Sequence, residues 1–131
     1  MKLLLDTHIW IWSLESPHKL SRRVSSALGR STNELWLSPL SYWEFLYLSQ
    51  KGRFGSNIRP LAWIEAARKH VPLRDAPLTT DVSLAAYEIA LAHGDPIDTL
   101  LAATARAYDL TLVTADNKLI AGKGFAVLAN F

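Results

Sequence analysis

A chain of 131 residues suffices for one domain with a sizeable core, and half its residues are hydrophobic and a fifth charged, which excludes a disordered chain. The lack of cysteine excludes a disulfide framework, a thiol nucleophile and a thiolate metal site, and is compatible with a cytoplasmic protein. Net charge is only +2, and the apolar runs are short, the first broken by Asp6, so neither a signal peptide nor a membrane span is expected.

In chain order, KLLL (2–5) predicts a strand, with Asp6 directly after it and a short helix over 7–14. A loop around Pro17 leads to a helix over about 21–30 with Val24, Ala27 and Leu28 inward, and ELWLS (34–38) predicts a second strand. Ser38 and Pro39 start a helix to about Lys51, closed by Gly52. Residues 51–60 form a basic loop, 61–70 a helix, and VPLRDAPLT an extended stretch with a short strand. Thr80 caps a helix over 81–92, and Gly94 suits its left-handed C-terminal position.

The most informative stretch follows. Asp95 is placed as N-cap and Pro96 at the first helical position, so Asp98 lies in the first turn. Leu100, Leu101, Ala103, Ala107 and Tyr108 give that helix an apolar face. LTLVT (110–114) reads as a buried parallel strand, followed by Asp116, a turn over 117–121 and a last strand over 125–128. Strands alternating with helices imply a parallel sheet covered on both faces, in one domain over residues 1–131.

Asp6 and Asp116 then fall just past the carboxyl ends of strands, the rim where open α/β sheets bind ligands. Glu44 sits on a helix that is apolar nearly all round, where a carboxylate is costly unless something binds it. Each acid also has a structural account: Asp6 and Asp95 can cap helices, Asp98 complements a helix dipole, Asp116 belongs to a turn, and Ser41 with Glu44 fits a capping box. Gathered at one rim they repel, and one stays protonated unless a cation compensates. With oxygen ligands only, that cation is Mg²⁺ or Mn²⁺. No HxxH or HxxxH spacing makes the four histidines a metal set; His8 and His93 lie near the acids, with packing or solvent roles. Setting aside Asp6, Glu44, Asp95, Asp98 and Asp116 leaves seven acids against fourteen Lys and Arg, which suits a phosphate-rich ligand. Arg22, Arg23, Lys51 and Arg53 are candidates for holding its phosphates.

LLLDTHIW, SPLSYWEF, DPIDTLLAATA and LTLVTADN resemble, in order and spacing, the acidic motifs of PIN-domain ribonucleases, and among them the VapC-type toxins. The resemblance covers essentially the whole chain. It implies a PIN-like three-layer α/β/α sandwich and metal-dependent endonucleolytic cleavage of RNA, with a small antitoxin as partner. It also implies catalytic and metal-binding roles for Asp6, Glu44, Asp98 and Asp116, and support from the hydroxyls of Thr7 and Thr114. Asp95 competes with Asp98 as third carboxylate; Asp98 is favoured because it directly precedes the LLAATA helix. A receiver-type phosphoacceptor, a catalytically quiet PIN module and an RNA-processing PIN nuclease without antitoxin are the rival readings. Five Trp and the apolar helix over 39–51 further predict a homodimer or antitoxin contact through that helix, with Trp10, Trp12 and Trp43 contributing.

Overall fold

The computed structural model describes residues 1–52, 59–92 and 94–131, so Arg53 and His93 lie outside the described residues. Five parallel strands, β1 (Lys2–Leu5), β2 (Glu34–Leu37), β3 (Arg74–Asp75), β4 (Thr111–Thr114) and β5 (Ala126–Ala129), form one sheet in the order β3-β2-β1-β4-β5. Between them run α1 (Thr7–Glu15), α2 (Arg22–Gly29), α3 (Pro39–Gln50), α4 (Pro60–His70), α5 (Thr80–Ala85), α6 (Pro96–Ala107) and α7 (Asn117–Ile120). The chain winds outward from β1 to β3, then returns to place β4 on the other side of β1. That reversal opens a crevice at the carboxyl ends of β1 and β4. The receiver fold has the order 2-1-3-4-5 and is thereby set aside.

Strand alternation divides the core in two. Leu3, Leu5 and Val113 pack with Ile9, Trp10, Val24, Phe45 and Trp63 from α1 to α4. Leu4 and Leu112 face the opposite way, onto Ala102 and Ala105 of α6 and Leu119 of α7. Strands apolar on both faces, as KLLL and TLVT are, need such double cover, and the result is the expected three-layer α/β/α sandwich. Each fully buried leucine contributes about 1.5–3 kcal/mol.

Three differences from the sequence reading have local causes. The helix predicted over 81–92 stops early: α5 is capped by Thr79, whose hydroxyl accepts from the Val82 N–H (3.2 Å), and a 3₁₀ turn over Ala86–Glu88 ends it. Beyond it, Ala90 exchanges both backbone hydrogen bonds with Lys123 (3.0 Å each). Gly124, at φ 100°, lets this bridge lie against the Glu88 carbonyl, which would stand 2.3 Å from any Cβ. Gly94 therefore closes no helix, since the turn before it already ends at Glu88. On α6, Leu101 to Ala105 are all buried and Ala107 is exposed, because α5 packs on this helix as well as the sheet. Trp10 is a core residue and no interface residue: its ring meets Tyr42 and Trp63 edge-on at 5.2 Å and Phe45 at 6.0 Å. On α3 the buried residues are Ser41 and Phe45, while Trp43 (52 % exposed) and Tyr47 (44 %) stack on each other outside.

Candidate active site

Asp6 is the first residue past β1, and its N–H still continues the sheet by donating to the Val113 carbonyl (3.0 Å). Its side chain turns back to cap α1. Oδ1 accepts from the Thr7 N–H (2.8 Å), and Oδ2 accepts from the Thr114 hydroxyl (2.6 Å). Only 7 % of the residue is exposed. Burial pushes its carboxyl above the ordinary carboxylate range against the pull of both hydrogen bonds, and the charge of Glu44 pushes the same way.

Thr114 ties two strand ends together. While donating to Asp6, its hydroxyl also accepts from the Asp116 N–H (3.0 Å), and Asp116 Oδ1 caps α7 by accepting from the Lys118 N–H (2.8 Å). Thr7 donates to the Ser41 hydroxyl (3.0 Å), which joins α1 to α3 one turn before Glu44. The cap of α3 is Ser38, whose Oγ accepts from Leu40 N–H (3.1 Å), so Ser41 and Glu44 form no capping box. Sequence reading has no role for Ser41 beyond that box; only its position one turn before Glu44 could flag it.

Asp95 caps α6, its Oδ1 accepting from Ile97 N–H (2.8 Å) and Asp98 N–H (3.4 Å). Asp98, in the first turn, would be favoured as an anion by the helix dipole, yet its pKa is raised to about 7. Burial is the main cause, followed by the negative charges of Asp95, Asp6 and Asp116; Lys118 acts in the opposite sense. Asp98 thus lies within the field of Asp95, Asp6 and Asp116 at the β1/β4 crevice, and Glu44 joins from α3 through Asp6.

Among the described residues, no three His, Cys, Asp or Glu side chains stand as a ready-made cage for a metal ion. The donor chemistry nevertheless suits a hard divalent cation, being all oxygen. Asp6, Asp95 and Asp116 each have a capping role, whereas the carboxylates of Asp98 and Glu44 accept no hydrogen bond and form no ion pair among the described residues. Two half-buried acids without partners, beside three more acids, are what a cation would relieve. Of the four candidate phosphate contacts, Arg22, Arg23 and Lys51 are exposed, and Arg53 is outside the described residues. Lys51 lies over the Tyr47 ring at 5.4 Å. His8 is exposed beside Asp6.

A parallel 3-2-1-4-5 sheet with acids at its switch point defines a class, and the chain belongs to it: it is a member of the PIN-domain family, whose model matches residues 3–123. Within that family it is similar to ribonuclease VapC22 of Mycobacterium tuberculosis, at 32 % identity over 118 residues, covering 89 % of this chain and 88 % of the relative. Its fold is similar to VapBC2 from Rickettsia felis bound to a promoter DNA fragment, with a TM-score of 0.73, 19 % identity and 98 % coverage of both chains. DNA-bound VapBC from Salmonella typhimurium gives the same TM-score at 17 % identity, again with 98 % of both chains covered.

Proposed function

We propose that this protein is a divalent-metal-dependent endoribonuclease, acting in the cytoplasm as the toxin of a toxin–antitoxin pair. The observation that carries this reading is the gathering of Asp6, Asp98 and Asp116 at the β1/β4 switch point, with the carboxylates of Asp98 and Glu44 in no hydrogen bond or ion pair among the described residues. The 32 % identity to a ribonuclease supports the same substrate class.

Asp6, Glu44, Asp98 and Asp116 would hold Mg²⁺ or Mn²⁺. When bound, such an ion supplies Lewis acidity toward a phosphoryl oxygen and lowers the pKa of a bound water. The chain's own residues fix the frame. The Thr114 hydroxyl sets the rotamer of Asp6 and favours its charged form, while its acceptor side pins the Asp116 backbone. Thr7 and Ser41 join α1 to α3, the helix whose Glu44 charge acts on Asp6. Asp95 supports by shaping the α6 turn that presents Asp98, since its Oδ1 is committed to two N–H groups.

For partners, an apolar groove of about 230 Å³ between α1, α2 and α4, lined by Leu14, Leu20, Leu28, Val71 and Leu73, offers a seat for an apolar antitoxin segment. The exposed Trp43 and Tyr47 on α3 supply a second surface, suited to a homodimer. Among the described residues no helix is long and apolar enough to cross a membrane.

The test is incubation of the purified protein with tRNA and rRNA in Mg²⁺, in Mn²⁺ and in EDTA. Cleavage with either ion, none in EDTA and none by Asp98→Asn is expected. Cleavage that survives EDTA, or an Asp98→Asn protein as active as the parent, rejects the reading.

A further inference from the structure

Asn130 lies beyond residues 3–123, the part of the chain that the family model matches, yet it is bonded to the site's frame. Its backbone N–H donates to the Thr114 carbonyl (2.8 Å), and Thr114 is the residue whose hydroxyl grips Asp6 and the Asp116 backbone. Its side chain reaches the other way across the chain. Oδ1 accepts from the Ser21 N–H (2.6 Å), and Nδ2 donates to the Lys19 carbonyl (3.0 Å). Both bonds span more than a hundred residues of sequence, and together they fasten the turn leading into α2 onto the carboxyl end of β5.

That turn is basic. Lys19, Arg22 and Arg23 are all exposed, and Lys19 lies over the Trp12 ring at 5.5 Å. The Arg23 guanidinium donates to the Ala129 carbonyl at 3.4 Å, and Ala129 is the sheet partner of Thr114. Arg23 is therefore held one strand away from the hydroxyl that grips Asp6. A guanidinium there has no carboxylate to pair with, because the ion pairs among the described residues are Lys69–Glu65 and Arg74–Glu34. It remains available to an anion, and arginine suits a phosphate by geometry as well as charge.

We propose that Asn130 is a positioning residue: it fixes the basic turn carrying Arg22 and Arg23 against the carboxylate rim, where the two guanidiniums take backbone phosphates of the RNA strand beside the scissile one. This rests on the ribonuclease reading above. Four carboxylates outnumber the charge of one divalent ion, so cations flanking the acids favour the approach of a polyanionic strand even when that ion is bound. Asn130 acts through the arginines by keeping them next to Thr114, and touches no reacting atom itself.

The test measures binding and cleavage of one single-stranded RNA across a salt series in Mg²⁺. Proteins compared are the parent, Asn130→Ala, the exposed pair Arg22→Gln with Arg23→Gln, and the triple variant. The arginine pair should flatten the slope of log affinity against log salt by about 0.7 for each phosphate that is no longer neutralised. Asn130→Ala should flatten it in the same direction and raise KM several-fold, with kcat falling far less. The triple variant should match the arginine pair, since Asn130 has nothing left to place. A loss of kcat in Asn130→Ala with KM and slope unmoved would show that Asn130 serves only the Thr114 strand end, and overturns the proposal. So does an arginine pair with the parent's slope, whatever Asn130→Ala does. A parent protein that neither binds nor cuts RNA removes the ribonuclease reading itself, and this proposal with it.

Discussion

At the residue scale, the decisive contrast is between Asp95 and Asp98, three positions apart on one turn. Asp95 spends an oxygen on two backbone N–H groups, so Asp95→Ala should cost about 0.5–2 kcal/mol of stability through the lost cap, whereas Asp95→Asn keeps the cap. Asp98 accepts no such bond among the described residues, and Asp98→Asn should cost cleavage at least about 100-fold while leaving the melting temperature in EDTA equal or higher. Asp95→Asn should be the milder of the two in cleavage; the reverse order would move the third carboxylate to Asp95. The pH dependence has a definite sign. Asp98 titrates near 7 in the folded protein and near the ordinary 3.8 when unfolded, so between those values the folded state binds a proton that the unfolded chain has released. Stability of the metal-free protein should therefore fall as pH rises from about 4 to about 7, and the raised Asp6 carboxyl adds in the same direction. Denaturant titrations in EDTA at pH 5 and pH 8 measure this, and Asp98→Asn should lessen the difference. A parent protein more stable at pH 8 would contradict the repelling cluster.

At the scale of elements, the end of β4 holds the site together, because one hydroxyl serves both Asp6 and Asp116. Thr114→Val is nearly isosteric but leaves a buried carboxylate one donor short. It should cost about 1–3 kcal/mol and lower cleavage about 10- to 100-fold, read by denaturation and by initial rates. Helix α3 carries a different expectation. Trp43 and Tyr47 face solvent, so Trp43→Lys should leave the melting temperature nearly unchanged yet weaken a homodimer about tenfold or more, seen as a mass shift in light scattering over a dilution series. A parent that is monomeric at every concentration would remove that surface from consideration. These elements also mark what the sequence could reveal. Local rules suffice to locate β1, α3, α6 and β4, where caps, prolines and apolar runs agree, and they bring Asp6, Asp98 and Asp116 to one rim, though they misassign which faces of α3 and α6 are buried. They fail where long-range pairing decides. The Ala90–Lys123 bridge ends a helix that Val82, Ala85, Ala86 and Ile89 predict, and the bonds of Asn130 to Lys19 and Ser21 leave no local trace. Trp10 escapes them for the same reason, since only the folded chain shows Tyr42, Phe45 and Trp63 closing around it.

At the scale of the whole molecule, an acidic crevice sits in a chain whose other charges are fourteen Lys and Arg against seven acids, a balance that would draw a nucleic-acid strand in and present it to the carboxylates. Carboxylates at that centre bear on which oxygen attacks the phosphate. Ribonucleases that work without metal use the substrate's own 2′-hydroxyl, and they need a positioned acid and base, commonly two histidines, to move the protons. Among the described residues the rim offers one histidine, His8, exposed beside Asp6, and no second to pair with it. Attack from outside by water, in line with the 3′ oxygen, leaves a 5′-phosphate and a free 3′-hydroxyl and makes no chemical use of the 2′ oxygen. An RNA with a single 2′-deoxy sugar on the 5′ side of the scissile bond should therefore still be cut in Mg²⁺ or Mn²⁺, within about tenfold of the all-ribose rate, a margin equal to one lost hydrogen bond of roughly 1.4 kcal/mol. Gel mobility and phosphatase sensitivity of the fragments identify the ends. A 2′,3′-cyclic phosphate, or a deoxy substrate left intact while its ribose twin is cut, would show that the attacking oxygen belongs to the RNA and that the carboxylates at this crevice serve some other purpose.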